Sequence, residues 1–231
     1  MQLSAYHPPQ DSGLDLVYSD DALLMVNKPA GLLSVPGRGN DKRDSLSTRV
    51  QNAFPDAFSV HRLDMNTSGL LVFARSKEML RALSRLFRER HVEKRYVAVV
   101  SGCVGCTAGE VDLPLGSDWP NRPRQKVDFA FGRRSLTRYR LLEYTQISIP
   151  SSVHHGRRFF EASRVELEPV TGRTHQLRVH MASLGHPVVG DGLYGEEELR
   201  IAGRMFLHSH LLSFPHPLSG ERLTLTCEPP F

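Results

Sequence analysis

HRLDMNTSGLLVFARS, residues 61–76, is the stretch around which the rest of the chain is organised. One carboxylate, Asp64, lies between a charged tripeptide and four turn formers, Asn66, Thr67, Ser68 and Gly69. Leu70–Ala74 is then an unbroken apolar run with the length of a buried strand, and Ser76 beyond it is a helix N-cap residue. Turn, strand and cap in that order put Asp64 at the mouth of a sheet. Residue types alone leave it two roles: a turn acceptor bonding backbone two residues on, or an acid held for chemistry by rigid strands.

Downstream of Ser76, Met79, Leu80, Leu83, Leu86 and Phe87 keep the spacing of one apolar helical stripe, which predicts a helix over about Lys77–His91. Arg81, Arg85 and Arg88 share another face, suited equally to solvent and to a polyanion. Upstream, Leu14–Tyr18 and Leu23–Asn27 read as short strands. Ser34–Asn40 is a Gly/Pro-rich loop, and a helix over about Ser45–Phe54 is expected to be capped by Asp44 and ended by Pro55. Further strands are predicted at Tyr96–Ser101, Leu136–Tyr144, Phe159–Pro169, Arg204–Phe214 and Arg222–Cys227. THQLRVHMASL reads as a helix capped by Thr174 and stopped by Gly185. Thr145–Phe160 is longer than a tight hairpin needs and stays open between a mobile loop and an added contact to a partner. Short strands broken by a few helices, without βαβ periodicity, give an α+β fold on a largely antiparallel sheet. With no repeat or Gly/Ser linker, a polar extension over 1–13 and one domain over 14–231 is the simplest division.

Composition excludes several classes. At 231 residues with 40% hydrophobic and 23% charged content, the chain needs no disulfide or metal staple. No apolar run reaches the roughly 18 residues of a membrane span, and MQLSAYHPPQDSG lacks the basic start and apolar centre of a secretory signal. The cysteines are Cys103, Cys106 and Cys227; the C-x-x-C pair offers half a tetrahedral zinc site and sits in a loop, so a reducing, cytoplasmic compartment fits. The net charge of +4 is unevenly spread: residues 61–100 carry +5 and residues 121–140 carry +6, which leaves the remainder acidic. That is the electrostatic footprint of a polyanion partner, although basic runs also serve solubility.

HRLDxxTSG resembles the catalytic motif of the RluA-type pseudouridine synthases. The family's other blocks follow in order: NKPAGLLSVPG (27–37) before it, then EKRYVAVVSG (93–102), GRTHQLRVHMASLGHPVVGDGLYG (172–195) and LHSHLLSFPHP (207–217). DLPLGSDWPNRPRQKV (112–127) narrows the likeness to the branch acting on both 23S ribosomal RNA and tRNA. The resemblance spans about residues 18–225. It implies a catalytic domain on a mixed sheet with the cleft crossing its face. No separate N-terminal RNA-binding domain is expected, since about 13 loose residues precede the first strand. The expected protein is a monomer binding structured RNA stem-loops, with no membrane association.

The implied reaction breaks the N1–C1′ bond of a uridine, turns the uracil and rejoins it through C5. The resemblance implies no cofactor and no metal for this chemistry; nor does the sequence carry a Walker loop, a dinucleotide glycine fingerprint or a complete metal-ligand set. Asp64 matches the essential aspartate, which attacks the nucleoside or removes a sugar proton; the sequence does not choose between these routes. Arg178 matches the basic partner of that aspartate, and would favour its ionised form. Tyr96 matches the tyrosine whose ring stacks on the extruded uracil and whose hydroxyl is placed for the C5 proton. Outside the resemblance, Arg178 reads as an exposed helix arginine and Tyr96 as a strand tyrosine in the core. Substrate contacts are assigned to Arg62, to its neighbours His61 and Thr67, and to Trp119, Arg122 and Arg124, an aromatic and two cations suited to stacking and phosphate contact.

Two rival readings are open to test. His208 and His210 on a strand with His175 and His180 on a helix could be taken for a zinc hydrolase, but i, i+5 spacing does not put two imidazoles on one helix face. An RNA-binding or ribosome-assembly module with a degenerate site would lack one of Asp64, Tyr96 and Arg178, and all three are present.

Overall fold

The computed structural model describes residues 6–150, 157–195 and 202–231. Its elements run β1 (Leu16–Ser19), β2 (Leu23–Lys28), α1 (Leu46–Ala53), β3 (Phe58–Ser59), β4 (Ser68–Ala74), α2 (Lys77–Arg88), β5 (Glu93–Ser101), β6 (Ala108–Asp112), β7 (Leu115–Ser117), β8 (Gln125–Val127), β9 (Leu136–Pro150), β10 (Arg157–Pro169), α3 (Gln176–Ser183), β11 (Leu207–Pro215) and β12 (Arg222–Thr226). The class is α+β, as expected. Two compact units form: residues up to Lys94 with His208–Pro230, and Arg95–Leu207 with Phe231.

In the first unit β4 is buried along its whole length. It pairs antiparallel with β2 and β3 and parallel with β11, whose other edge carries β12 antiparallel; β1 pairs with β2. Leu70, Val72 and Ala74 share one face of β4 and pack with Leu23, Met25, Leu212 and Phe214. The stripe of α2 closes that core with Met79 and Leu83. Ser76 caps α2 as predicted, its Oγ accepting the Met79 N–H at 3.1 Å. The helix ends at Arg88, earlier than expected, because Arg90 turns left-handed at φ 62°. Gly69 has φ 108° and a β-carbon there would come within 2.3 Å of the Ser209 carbonyl, so only glycine permits the parallel pairing of β4 with β11. The expected cap of α1 is corrected: Ser45 Oγ accepts the Thr48 N–H, while both Asp44 oxygens take the Arg49 guanidinium at 2.9 and 2.7 Å.

In the second unit β6, β9, β10 and β5 are antiparallel neighbours, and β7 and β8 make a separate ribbon. The period of two sorts the sheet cleanly. Tyr96, Ala98, Val100, Tyr139, Val165 and Leu167 meet Leu177 and Met181 of α3. Their alternates, Arg95, Arg138 and Arg140, pair with Glu110, Glu166 and Glu168 at 2.7–3.8 Å. Part of the positive charge counted over residues 121–140 is therefore neutralised within the unit by acids distant in sequence. α3 starts from His175 in a left-handed conformation (φ 55°), not from Thr174 as expected; Gln176 Oε1 instead takes the Arg173 N–H and the Thr171 hydroxyl. Gly185 does terminate the helix, at φ 82°. The stretch left open over Thr145–Phe160 is strand as far as Pro150 and again from Arg157; residues 151–156 lie outside the described residues.

Candidate active site

Asp64 sits in a turn that leads straight into β4, closed by the Thr67 N–H donating to the Asp64 carbonyl oxygen at 3.1 Å. Its neighbours on both sides are fastened to the loop that follows β2. The buried Ser34 hydroxyl donates to the Leu63 carbonyl at 2.7 Å and accepts the Leu63 N–H at 3.0 Å. The Met65 carbonyl receives the Gly31 N–H at 2.9 Å and the Lys28 ammonium at 2.9 Å. Lys28 is fully buried and also donates to the carbonyls of Pro29 and Leu32 at 2.8 and 2.7 Å. Three carbonyl oxygens on one ammonium offset much of the cost of taking it out of water. Residues 28–34 thus form a clamp on the segment that bears the acid.

The assigned neighbours of Asp64 divide by environment. Arg62 is exposed and Thr67 buried. His61 stacks on Phe87 with ring centres 4.6 Å apart, and its Nε2 accepts the Val72 N–H at 3.2 Å. Burial, and then the charge of Lys94, hold its pKa down to about 3, so the ring is neutral with its proton on Nδ1. That imidazole braces the HRLD segment against β4 and α2. Behind the turn, Ser68 Oγ meets His208 Nδ1 at 2.8 Å, and both His208 Nε2 and His210 Nδ1 reach the Cys227 carbonyl at 3.1 and 2.8 Å. These histidines knit β11 to β4 and the chain after β12. Among the described residues no cluster of three or more His, Cys, Asp or Glu side chains could hold a metal ion.

In the second unit, Tyr96 lies on the core-facing side of β5, half-buried and opposite Leu167. Arg178 is buried, not the exposed helix arginine its position suggests. Its Nε and one Nη donate to the two carboxylate oxygens of Asp191 at 2.7 and 2.8 Å. Asp191, fully buried, also accepts the N–H groups of Leu193 and Tyr194. Burial alone would raise its pKa; the Arg178 guanidinium and the two amides outweigh burial and lower it. The Tyr194 ring lies under Arg178 and Arg124, at 5.1 and 5.3 Å from their guanidinium carbons. Its hydroxyl accepts the Gln125 N–H at 2.7 Å and meets His175 Nδ1 at 2.8 Å. Two assigned residues, Arg178 and Arg124, are thus brought together on a tyrosine not singled out in the sequence. Trp119 and Arg122 stack on one another at 3.3 Å in the exposed β7–β8 connection.

An RNA pseudouridylate synthase family model matches residues 22–183, from β2 through α3, and so takes in the clamp, the Asp64 turn, Tyr96 and Arg178. The chain belongs to the RNA pseudouridylate synthase family. It is similar to the dual-specificity RNA pseudouridine synthase RluA of Escherichia coli (strain K12), 47% identical over 225 residues and 97% of each chain. The RluA of Haemophilus influenzae is 44% identical over the whole of both chains. Among solved structures, human RNA pseudouridylate synthase domain containing 1 matches with TM-score 0.77 and 32% identity, covering 97% of this chain and 87% of its own.

Lys28, Ser34, Asp191 and Tyr194 escaped the sequence reading of this synthase. Lys28 had a usable signal, since the period of two puts it on the same face of β2 as the apolar Leu24 and Val26. Asp191 lies in Gly-Asp-Gly, which reads as nothing more than a turn.

Proposed function

We propose that this chain isomerises uridines to pseudouridine in stem-loops of both 23S ribosomal RNA and tRNA, as a cytoplasmic monomer. The observation that carries the reading is the acid of the family motif on a turn whose flanking residues are both clamped. Rigid placement of one carboxylate is what a reaction without an external nucleophile requires. Asp64 drives cleavage of the N1–C1′ bond. Arg178 supplies the cation that the family pairs with this acid, and its bidentate hold on Asp191 fixes its direction. Tyr96 stacks on the turned uracil and takes the C5 proton as the C5–C1′ bond forms, while N1 gains one. Arg62 occupies the space the base leaves in the stack, and Trp119, Arg122 and Arg124 meet the loop. The dual substrate rests on the likeness to relatives named dual-specificity, which extends over nearly the whole of both lengths.

The test is release of tritium from unmodified tRNA and 23S rRNA transcripts labelled at uridine C5. Wild-type protein is expected to release it from both, and Asp64→Asn from neither while still binding RNA. Turnover of the Asp64→Asn protein at the wild-type rate would refute the mechanism; release from one transcript only would refute the dual substrate.

A further inference from the structure

The second unit carries an exposed surface that the proposed site does not use. Residues 128–132 join β8 to the strand-like segment before β9 in a tight turn, closed by the Gly132 N–H on the Asp128 carbonyl at 2.8 Å. Asp128 Oδ1 accepts the N–H groups of Ala130 and Phe131 at 3.1 and 3.0 Å. Both ends are fastened to one short segment: Asp128 N–H to the Pro114 carbonyl, and Arg133 to Leu115 through two backbone bonds of 2.8 and 2.9 Å. A β-carbon on Gly132 would meet the Asp128 carbonyl at 2.2 Å, so the turn cannot take another residue there without opening.

This rigid turn presents its two phenylalanines to solvent. Phe129 is 79% exposed and Phe131 91%, the two most exposed of the large apolar side chains among the described residues. Scattered single apolar residues are ordinary on a surface; two on one braced turn form a platform. Its setting is cationic: Lys126 precedes it, Arg133 and Arg134 follow, and all three are exposed. The one acid of the turn is engaged by backbone amides and by Lys126 at 3.8 Å. Arg134 also reaches Asp112 at 3.4 Å, an exposed pair that a phosphate can displace at little cost. Aromatic faces among cations are the recognition chemistry of unpaired nucleotides, where bases stack and phosphates pair. A protein partner matched to apolar rings would not need the cations, and a duplex would offer no free base faces.

We propose that Phe129 and Phe131 form a stacking platform for unpaired bases of the substrate RNA, with Arg133 and Arg134 on the adjoining phosphates. This rests on the RNA-modifying reading and adds to it a foothold for nucleotides other than the target uridine. Because the turn is fixed before binding, little ordering entropy opposes the stacking.

Direct binding at several salt concentrations tests the platform, using an unmodified tRNA transcript and a fully paired RNA duplex of equal length. Phe129→Ala and Phe131→Ala should each weaken transcript binding by roughly 5- to 100-fold and leave duplex binding unchanged. Phe129→Leu and Phe131→Leu, apolar but unable to stack in the same way, should resemble the alanine variants. Replacing Arg133 and Arg134 by Gln should lower the salt slope of log K by about 0.7 for each single-strand phosphate that the protein no longer neutralises. Matching melting curves establish that all variants are folded. Alanine variants that bind the transcript like wild type would overturn the proposal, and so would leucine variants that restore full affinity. Binding is read separately from tritium release: a wild-type protein that binds through the platform yet releases no tritium refutes the proposed activity and leaves the platform standing.

Discussion

Ser34→Ala is the sharpest test of how Asp64 is held. The substitution removes one oxygen that makes two bonds to a single residue, Leu63, immediately before the acid. Leu63 is itself buried, so its N–H and C=O lose their partner with little access to water. Each such group left unsatisfied costs about 1–3 kcal/mol, so with two of them stability should drop by about 2–6 kcal/mol if the segment stays in place. If it relaxes instead, the acid shifts, and a displacement of about 1 Å is enough to cost roughly 10²-fold in rate. Lys28 and Gly31 still hold Met65, so the expected result lies between: kcat about 10- to 100-fold lower, with KM for an unmodified tRNA transcript little changed. Ser163 is a matched control. Its hydroxyl donates to the Gly102 carbonyl at 2.8 Å and accepts the Val104 N–H at 3.0 Å, so Ser163→Ala loses the same pair of bonds on β10. Chemical denaturation and steady-state tritium release on both variants separate stability from positioning. Equal losses of stability with unequal losses of kcat are predicted. A Ser34→Ala protein whose kcat stays within twofold of wild type would show the clamp to be scaffolding only.

Asp191→Asn removes the carboxylate charge held by Nε and one Nη of a buried guanidinium and should cost about 3–5 kcal/mol, seen as a Tm lower by about 6–20 °C; an unchanged melting curve would mean that Arg178 is neutralised by other means. Tyr96→Phe should bind RNA normally and stall at loss of the C5 proton, so product accumulation at the wild-type rate would show the hydroxyl to be dispensable. His61 has a folded pKa of about 3, below its unfolded value, so the unfolded chain binds the extra proton at acid pH. Stability should then be fully present above pH ~6.5 and fall by up to ~1.4 kcal/mol per unit below it. His61→Gln should flatten that slope in acid unfolding curves; an identical slope would place the titration elsewhere.

What could be read from the sequence was what local chemistry encodes. The apolar run of β4, the stripe of α2 and the Ser76 cap each needed only near neighbours in the chain, and each formed close to where it was placed. The cap of α1 shows where that logic ends. Asp44 and Ser45 are both good cap residues, and the choice fell to Ser45 because Arg49 takes the Asp44 carboxylate. The family motifs located Asp64, Tyr96 and Arg178 but not what supports them. Ser34 lies 29 residues from Leu63 and Lys28 lies 37 from Met65, distances at which no periodicity or spacing rule operates. Buried Arg178 was unreadable for the same reason, since its partner is one turn-forming aspartate thirteen positions on.

Charge is where folding changes the meaning of composition most. Counted along the chain, residues 121–140 are a single basic tract. In the folded second unit that tract splits in two. Arg138 and Arg140, on β9, lie against Glu110, Glu166 and Glu168, and contribute nothing to a distant phosphate that those acids do not cancel. Arg122, Arg124, Arg133 and Arg134 are exposed and lie between strands, in the connections that also carry the exposed aromatic residues Trp119, Phe129 and Phe131. Affinity for RNA should therefore depend on salt through the turns and not through the strands. Neutralising Arg138 or Arg140 would unbalance an ion-pair network and cost stability before it cost binding, whereas neutralising Arg133 or Arg134 would do the reverse. The basic tract is one feature in the sequence and two in the molecule, and only the half carried on turns is placed to meet a polyanion.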